Sequence, residues 1–252
     1  MMAFKKIRLD ELLVERGDAP TIEKARALIL ARAVKVNDDY PDKAGTLVFP
    51  DADIRVKGED QPYVSRGGLK LRGALKAFDL DIRDFIALDI GASTGGFTDC
   101  LLQAGAKKVY ALDVAYGQLA WRLRQDERVV VIERANIRHY DGAEIHEPVD
   151  LAVMDTSFIS LKLVIPAALK FVRAGGWILA LIKPQFEAQK DEVEKGGVIT
   201  DAEVHERILR EIWVFCESLG LDVRGTCASP VWGPGGNKEF FILAKKKAPH
   251  GS

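Results

Sequence analysis

The 252-residue sequence predicts an α/β fold with a mostly parallel sheet, preceded by a small α+β domain. From Leu69 onward, short and continuously apolar segments alternate with helical stretches, which is typical of parallel strands buried on both faces. A glycine-rich turn directly follows the first of these strands, as in Rossmann-like folds. The predicted strands are residues 85–90, 108–113, 129–133, 150–154 and 177–182.

The C-terminal part of the chain predicts an antiparallel addition to this sheet. An amphipathic pattern over residues 204–219 indicates a helix. Residues 222–229 and 239–245 are predicted to pair as a hairpin around the turn sequence Gly-Pro-Gly-Gly of residues 233–236. A further helix, residues 69–78, precedes the first strand of the sheet.

The N-terminal part is organised differently, which predicts a separate small domain. Leucines at helical spacing in residues 9–13 indicate a helix that ends at Gly17, and Thr21 is the predicted N-cap of a second helix. Short apolar pairs over residues 34–56 predict strands. The polar stretch 58–62, which ends in proline, indicates a boundary. The predicted division is a first domain of residues 1–60, a linker 61–66, a larger domain 67–246 and a tail 247–252.

Composition and charge exclude several classes of protein. The formal net charge is −1, so any nucleic-acid contact must come from locally clustered lysines and arginines. The three cysteines, Cys100, Cys216 and Cys227, fit neither a disulfide framework nor a zinc site, and we predict no bound metal. No apolar stretch has the length of a signal-peptide core or a membrane span. We therefore expect a cytoplasmic protein.

The glycine-rich turn has the pattern Gly91-x-x-x-Gly95-Gly96. A dinucleotide site requires G-x-G-x-x-G, whereas S-adenosylmethionine has no phosphate and needs a close turn with carboxylates for its ammonium and hydroxyl groups. Asp89 lies just before the turn, and Asp113 ends the next predicted strand, where an acidic residue can accept ribose hydroxyls. Taken alone, the glycines could equally serve close packing of the turn.

Four polar residues are candidates for the chemistry. Asp155 and Lys183 each follow a predicted strand, and ligands bind at the carboxyl ends of the strands in an open α/β sheet. Lys183 ends a long apolar run, so burial of its charge there requires a reason. If a ribose hydroxyl is the methyl acceptor, it needs a base to take its proton, and Lys183 is our candidate for that base. Lys70 is the candidate for a second cation. Asp155 and Glu239 are the candidate positioning groups. Each residue alone could instead be a solvated boundary residue or a helix cap.

Together these residues resemble the TlyA-type (hemolysin A family) rRNA methyltransferases, which are similar to the FtsJ/RrmJ 2′-O-methyltransferases. The resemblance covers essentially the whole chain. It is carried by Ser65-Arg-Gly-Gly-Leu-Lys70, Gly91-Ala-Ser-Thr-Gly-Gly-Phe-Thr98, Asp113-Val-Ala-Tyr-Gly-Gln-Leu-Ala-Trp121, Asp155-Thr-Ser-Phe-Ile-Ser160, Ile182-Lys-Pro-Gln-Phe-Glu187 and Gly235-Gly-Asn-Lys-Glu239.

The resemblance implies a class I methyltransferase fold with an N-terminal domain of the S4 type, and methylation of cytidine 2′-hydroxyls in ribosomal RNA of one or both subunits. It implies a catalytic tetrad of Lys70, Asp155, Lys183 and Glu239. The S-adenosylmethionine site that we expect comprises Asp89, Gly91, Ala92, Ser93, Gly95, Gly96, Phe97, Asp113, Val114, Asn136, Ile137 and Asp155.

The predicted RNA-binding residues are cations of the first two helices and their flanks, with one arginine after the linker. Acidic residues are interspersed among them, so charge alone favours a solvated mixed face, and only the S4 resemblance favours RNA binding. These residues are Lys5, Lys6, Arg8, Arg16, Lys24, Arg26, Arg32, Lys35 and Arg66. We expect ribosomal RNA or ribosomal subunits as the partner and infer neither a membrane nor a protein partner.

Three other functions are weighed against this one. The first is a methyltransferase that acts on a base nitrogen or carbon. Methylation at carbon would need a nucleophilic cysteine, and no cysteine falls at a strand end near Asp155 or Lys183. A non-catalytic RNA-binding factor would not need all four tetrad residues. A membrane-lytic protein would need an amphipathic helix of the membrane-inserting kind or an exported chain, and we recognise neither in the sequence.

Overall fold

The computed structural model describes residues 6–16, 18–19, 21–50, 52–56, 62–189, 191–194 and 196–248. The chain divides into two compact units, one of Met1–Gln61 with Trp232–Asn237 and the other of Pro62–Val231 with Lys238–Ser252. The identity of the first unit as an S4-type domain stays a prediction, as do the boundaries of the linker and the tail.

The first unit combines two helices with two short antiparallel strand pairs, β1 with β3 and β2 with β4. Thr21 caps α2, as predicted, because its Oγ1 accepts a hydrogen bond from the Lys24 amide (3.2 Å). Helix α1 ends at Glu15, and Gly17 lies outside the described residues. The elements are β1 (Ile7–Arg8), α1 (Leu9–Glu15), α2 (Ile22–Leu30), β2 (Val34–Val36), β3 (Leu47–Val48) and β4 (Ile54–Val56).

The second unit contains a seven-stranded sheet in the order β10-β11-β9-β8-β5-β6-β7. The neighbours from β9 to β7 are parallel, and β11 is antiparallel to both β9 and β10. The predicted α/β fold with its C-terminal antiparallel strand is therefore confirmed. The strands are β5 (Ile86–Ile90), β6 (Lys108–Leu112), β7 (Val129–Ile132), β8 (Val149–Met154), β9 (Val172–Ile182), β10 (Leu221–Ala228) and β11 (Phe240–Lys246).

Helices cover both faces of this sheet and enclose two apolar cores. Alternate residues of each central strand point into opposite cores: Leu88 and Ala152 pack on one face, and Ala87 and Leu151 on the other. The helices are α3 (Gly67–Ala77), α4 (Gly96–Gln103), α5 (Trp121–Arg124), α6 (Leu161–Ala168), α7 (Pro184–Glu187) and α8 (Ala202–Ser218). A 3₁₀ turn, Pro234–Gly236, belongs to the first unit.

Strand β9 is longer than the predicted 177–182. It begins at Val172, which pairs with Val149, and its register with β8 is interrupted before Trp177 pairs with Leu151. The sequence Arg-Ala-Gly-Gly of residues 173–176 fills this irregularity. Glycine and exposed polar residues give no strand signal, which explains the short prediction.

None of the helices within the described ranges has the length and apolar character needed to span a membrane.

Candidate active site

The carboxyl edge of the sheet brings four predicted functional residues together. Gly91, Asp113, Asp155 and Lys183 follow β5, β6, β8 and β9 directly. The chain adds β6 and β7 on one side of β5 and then crosses to β8 on the other, so the strand order reverses at β5. Such a switch point opens a crevice at the carboxyl ends of the strands, where ligands bind in this class of fold.

Glu239 reaches the same edge because its strand runs in the opposite direction. It immediately precedes β11, and Phe240 pairs with Ile182, the last residue of β9. Lys70 lies on the buried face of α3. The Lys70 Nζ donates a 2.6 Å hydrogen bond to Oε2 of Glu239, across 169 residues of sequence.

The second amine of the predicted tetrad is bound in a similar way. Lys183 is buried, and its Nζ lies 2.6 Å from Oδ1 of Asp155 and donates to the Ser157 hydroxyl at 2.9 Å. An ammonium group has three N–H donors. Two of them have partners in the part of the chain that the structure describes, so one remains for a substrate oxygen.

The two ion pairs also influence one another. Burial raises the pKa of Glu239, while the charges of Lys70 and then Lys183 lower it and that of Asp155 raises it. Lys70, Lys183 and Asp155 are therefore all within electrostatic reach of Glu239. A lysine on the far side of the sheet would have excluded the catalytic arrangement. Lys70 and Lys183 both face the carboxylates at this edge instead.

A cavity of about 490 Å³ opens beside this cluster. Seven of the predicted cofactor residues line it, together with the loop that follows β8. Those seven are Gly91, Ser93, Asp113, Val114, Asn136, Ile137 and Asp155. Asp113 is held in place by the amides of Ser93 (2.7 Å) and Ala115 (2.8 Å), which donate to its two carboxylate oxygens.

The other predicted cofactor residues, Asp89, Ala92, Gly95, Gly96 and Phe97, do not line the cavity. A Cβ at Gly96 would lie 2.2 Å from Ser65 Oγ and 2.9 Å from the Gly68 amide, and one at Gly95 would meet Leu123. These two glycines therefore serve close packing, which the sequence had left open as an alternative. The Phe97 ring stacks on Phe241 in the core, 6.1 Å between centroids.

Asp89 lies beneath the cavity and is fully buried. Burial raises the pKa of its carboxyl to about 7, and the charges of Asp155 and Asp113 act in the same direction. The Thr98 hydroxyl donates to Oδ2 of Asp89 at 2.6 Å, which opposes the shift. The other carboxylate oxygen of Asp89, Oδ1, has no hydrogen-bond partner among the residues that the structure describes.

Buried side-chain oxygens without a hydrogen-bond partner concentrate at this edge. Within the described ranges they are Asp89 Oδ1, Thr156 Oγ1, Gln185 Oε1 and Glu239 Oε1. All four residues lie at the end of β5, β8 or β9 or at the start of β11. Unsatisfied buried oxygens are costly, and their shared location indicates that a polar ligand completes the site. The donors and acceptors present suit S-adenosylmethionine, whose sulfonium and ammonium charges carboxylates attract.

The predicted RNA-binding cations of the first unit have more local partners than the sequence suggested. Arg8 and Arg26 both donate to the buried Asp10, and they lower the pKa of its carboxyl to about 2. Arg16 donates to the carbonyls of Pro50 and Ala52. Lys35 pairs with Asp38, and Lys6 lies over the Phe49 ring.

Lys24 and Arg32 are exposed, and Arg66 precedes α3 in the second unit. Lys5 lies outside the described residues.

The comparison with known families is decisive for the second unit: residues 63–246 match the FtsJ-like methyltransferases. The chain belongs to the FtsJ-like methyltransferase family. Two curated relatives of this FtsJ-like methyltransferase are similar over nearly its whole length. The provisionally named rRNA methyltransferase YqxC of Bacillus subtilis is 48% identical over 96% of this chain and 86% of its own.

The second relative is the 16S/23S rRNA (cytidine-2′-O)-methyltransferase TlyA of Mycobacterium tuberculosis, 43% identical over 94% of this chain and 89% of its own. A solved structure from Streptococcus thermophilus, provisionally described as a hemolysin, covers 98% of this FtsJ-like methyltransferase and 91% of its own chain. Its TM-score is 0.78 at 41% identity.

The sequence did not predict three residues that the structure adds to the site of this FtsJ-like methyltransferase. Thr156, Ser157 and Phe158 line the cavity directly after Asp155. The Phe158 ring is 90% exposed. It lies 5.0 Å from the Phe186 ring, centroid to centroid. Two signals could have found these residues: their position immediately after a predicted strand end, and their place in the motif Asp155-Thr-Ser-Phe-Ile-Ser160 that carries the resemblance.

Proposed function

We propose that this FtsJ-like methyltransferase methylates the ribose 2′-hydroxyl of a cytidine in ribosomal RNA and uses S-adenosylmethionine. The observation that carries the proposal is the cluster of two amines and two carboxylates, of which Asp155 also lines the cavity. The names of its relatives support the rRNA substrate, and such a substrate implies a cytoplasmic enzyme.

The residues that line the cavity suit the cofactor. S-adenosylmethionine, when bound, supplies an electrophilic methyl group on a positively charged sulfur. Asp113 and Asp155 would attract its cationic and hydroxyl groups, and Asn136 and Ile137 would border its adenine. Gly91 lets the turn lie close to the backbone of Asp155, since a Cβ there would be 2.7 Å from the Asp155 carbonyl oxygen.

On the substrate side, Lys183 is the residue that meets the ribose hydroxyl. Asp155 and Ser157 hold the Lys183 Nζ in place, so the orientation of its remaining N–H or lone pair is fixed. We propose that Lys183 orients the 2′-hydroxyl and takes its proton. Lys70 supplies the second positive charge of the site, and Glu239 holds Lys70 in place.

The test replaces this amine. We expect Lys183→Ala to bind S-adenosylmethionine yet to lose roughly 10²- to 10⁴-fold in methyl transfer, because base and orientation are both removed. The measurement is incorporation of labelled methyl groups into ribosomal subunits from a strain that lacks the gene. Lys108→Ala is the matched control, since Lys108 pairs with Glu147 at the start of β6, at the opposite edge of the sheet. Full activity in Lys183→Ala would contradict its role.

The position of the methyl group separates this proposal from base methylation. Cys100 and Cys216 are buried, and burial raises the pKa of their thiols to about 11 and about 12. Burial also raises the pKa of the Cys227 thiol. None of these thiols is a reactive nucleophile at neutral pH. We expect a map of rRNA methylation in cells with and without the gene to differ at a cytidine ribose, and a change at a base carbon would refute the proposal.

An S4-type role for the first unit is part of the same proposal. The exposed Lys24 and Arg32 support it, since phosphate contacts from such side chains give salt-sensitive affinity for RNA.

A further inference from the structure

Two segments at the carboxyl edge are joined along their lengths by three separate contacts. They are residues 155–160, after β8, and residues 183–187, after β9, and together we call them the clasp. At one end Lys183 binds Asp155 and Ser157. In the middle the Phe158 and Phe186 rings pack together at 5.0 Å.

At the far end of the clasp, Glu187 binds the start of α6. Its Oε2 accepts a hydrogen bond from the Ser160 hydroxyl at 2.6 Å, and its Oε1 accepts one from the Leu161 amide at 2.7 Å. Ser160 is the N-cap of α6 and accepts from the Lys162 amide at 3.1 Å. Glu187 therefore satisfies a helix amide that has no partner within the helix and also orients the capping hydroxyl.

This end of the clasp is largely shielded from water. Burial raises the pKa of Glu187, while the hydrogen bonds from Ser160 and Leu161 lower it. A carboxylate in such surroundings makes stronger hydrogen bonds than a solvated one, and its removal leaves buried donors without a partner.

The middle of the clasp has a strained backbone. Phe158 has a φ of +62°, which a bulky L-residue rarely adopts, and its ring is 90% exposed. Such strained residues persist only where the flanking structure imposes them, and they concentrate at functional sites. The flanks here are Asp155, bound by Lys183, and Ser160, bound by Glu187.

We infer that Glu187 is a positioning residue for methyl transfer, because its hydrogen bonds to Ser160 and Leu161 fix the loop that presents Asp155 and Phe158 to the RNA. The inference rests on the proposed function. Glu187 has no direct contact with the reacting atoms, and it acts through the conformation of residues 155–160.

The test compares Glu187→Ala with Glu187→Gln at saturating cofactor and saturating ribosomal subunits. We expect Glu187→Ala to lower kcat about 10- to 100-fold, since small displacements of aligned groups have effects of that size. Glutamine can accept from the Leu161 amide and donate to the Ser160 oxygen. Glu187→Gln should therefore recover most of the lost kcat. If Glu187→Ala does not fold, Ser160→Ala removes one of the two hydrogen bonds to Glu187 together with the cap to the Lys162 amide, and it should lower kcat in the same direction.

Asp201→Ala is the matched control for a purely structural effect. Asp201 caps α8, where it accepts from the Glu203 amide at 2.8 Å, and its loss removes a helix cap of similar kind. We expect both alanine variants to lower the Tm, and only Glu187→Ala to lower kcat. Equal kcat in Glu187→Ala and the wild type, or equal losses in Glu187→Ala and Asp201→Ala, would overturn the inference.

Amide hydrogen exchange separates a failure of this inference from a failure of the proposed function. Peptides that cover residues 155–161 should exchange faster in Glu187→Ala than in the wild type or Asp201→Ala. Unchanged exchange in these peptides would overturn the positioning role whatever the substrate is. A wild-type chain that transfers no methyl group to ribosomal subunits would instead contradict the proposed function.

Discussion

Asp10 and Asp89 are both fully buried carboxylates, yet their surroundings give them opposite acid–base properties. Hydrogen bonds from Arg8 and Arg26 lower the pKa of Asp10 to about 2. Asp89 has only the Thr98 hydroxyl as a side-chain donor, and burial raises its pKa to about 7. The first carboxylate therefore contributes to the stability of its unit at neutral pH. The second lowers the stability of its unit at neutral pH, and carboxylates with pKa values perturbed in this way concentrate at functional sites.

Because the buried charge of Asp89 lowers the stability of the folded chain, Asp89→Asn should change that stability in a pH-dependent way in the absence of cofactor. The folded-state pKa of Asp89 lies above the unfolded value, so the folded chain binds the proton more tightly, and stability falls as pH rises from about 4 to about 7. Asparagine does not titrate, so Asp89→Asn removes this fall in stability. We expect Asp89→Asn to be more stable than the wild type by about 1–3 kcal/mol at pH 8 and to lose that advantage towards pH 5.

Thermal unfolding between pH 5 and pH 8 tests this prediction, with cofactor affinity measured in parallel. The same substitution should weaken binding of the cationic S-adenosylmethionine, because it removes a negative charge beneath the cavity. A stability difference that is constant over the pH range would show that Asp89 is not the titrating group.

At the scale of elements, the turn after β5 is close to the chain after β8. Gly91 has a φ of +84°, and a Cβ there would lie 2.7 Å from the carbonyl oxygen of Asp155. The sequence predicted Gly91 as a residue that lets the backbone approach a ligand. The structure adds that it lets β5 and β8 end side by side, which positions Asp155.

We therefore expect Gly91→Ala to lower both cofactor affinity and methyl transfer. Gly220→Ala is the matched control, because Gly220 also has a positive φ, +77°, but a Cβ there would meet nothing within 4 Å. Both variants should lose about 1 kcal/mol of stability from the backbone conformation. Only Gly91→Ala should displace Asp155. Equal activity of the two variants, measured as methyl transfer to ribosomal subunits, would argue against this coupling.

The limits of sequence prediction follow from the same elements. Apolar periodicity found every strand of the large sheet within a few residues, except the start of β9, where residues 173–176 carry no strand signal. The convergence of Asp155 and Lys183 followed from their positions after parallel strands. The pairing of Lys70 with Glu239 had no local signal and depended on the resemblance to a family. Glu187 ends one of the motifs that carry the resemblance, but it was missed as a site residue because its contacts with Ser160 and Leu161 have no local sequence signal.

At the scale of the whole molecule, a net charge of −1 leaves RNA affinity to a few local cations. Arg8 and Arg26 are engaged with Asp10, and Arg16 with backbone carbonyls. Replacing one of them would therefore change the stability of the first unit as well as its charge. Lys24 and Arg32 are better probes, because no partner is seen for either side chain among the described residues.

The double variant Lys24→Ala/Arg32→Ala tests whether the first unit binds rRNA through phosphates. Each lost phosphate contact should reduce the slope of log affinity against log salt by about one, so the slope should fall by roughly one to two. Cofactor affinity should stay unchanged, since neither residue belongs to the unit that holds the cavity. The measurement is binding to ribosomal subunits over a salt series.

Lys107→Ala/Lys170→Ala is the control, because it removes the same charge from exposed lysines that precede β6 and β9 in the second unit. An equal change of slope in both double variants would mean that affinity follows total charge rather than contacts of the first unit. An unchanged slope in Lys24→Ala/Arg32→Ala would assign the phosphate contacts to other residues, and the S4-type role of these two cations would then be wrong.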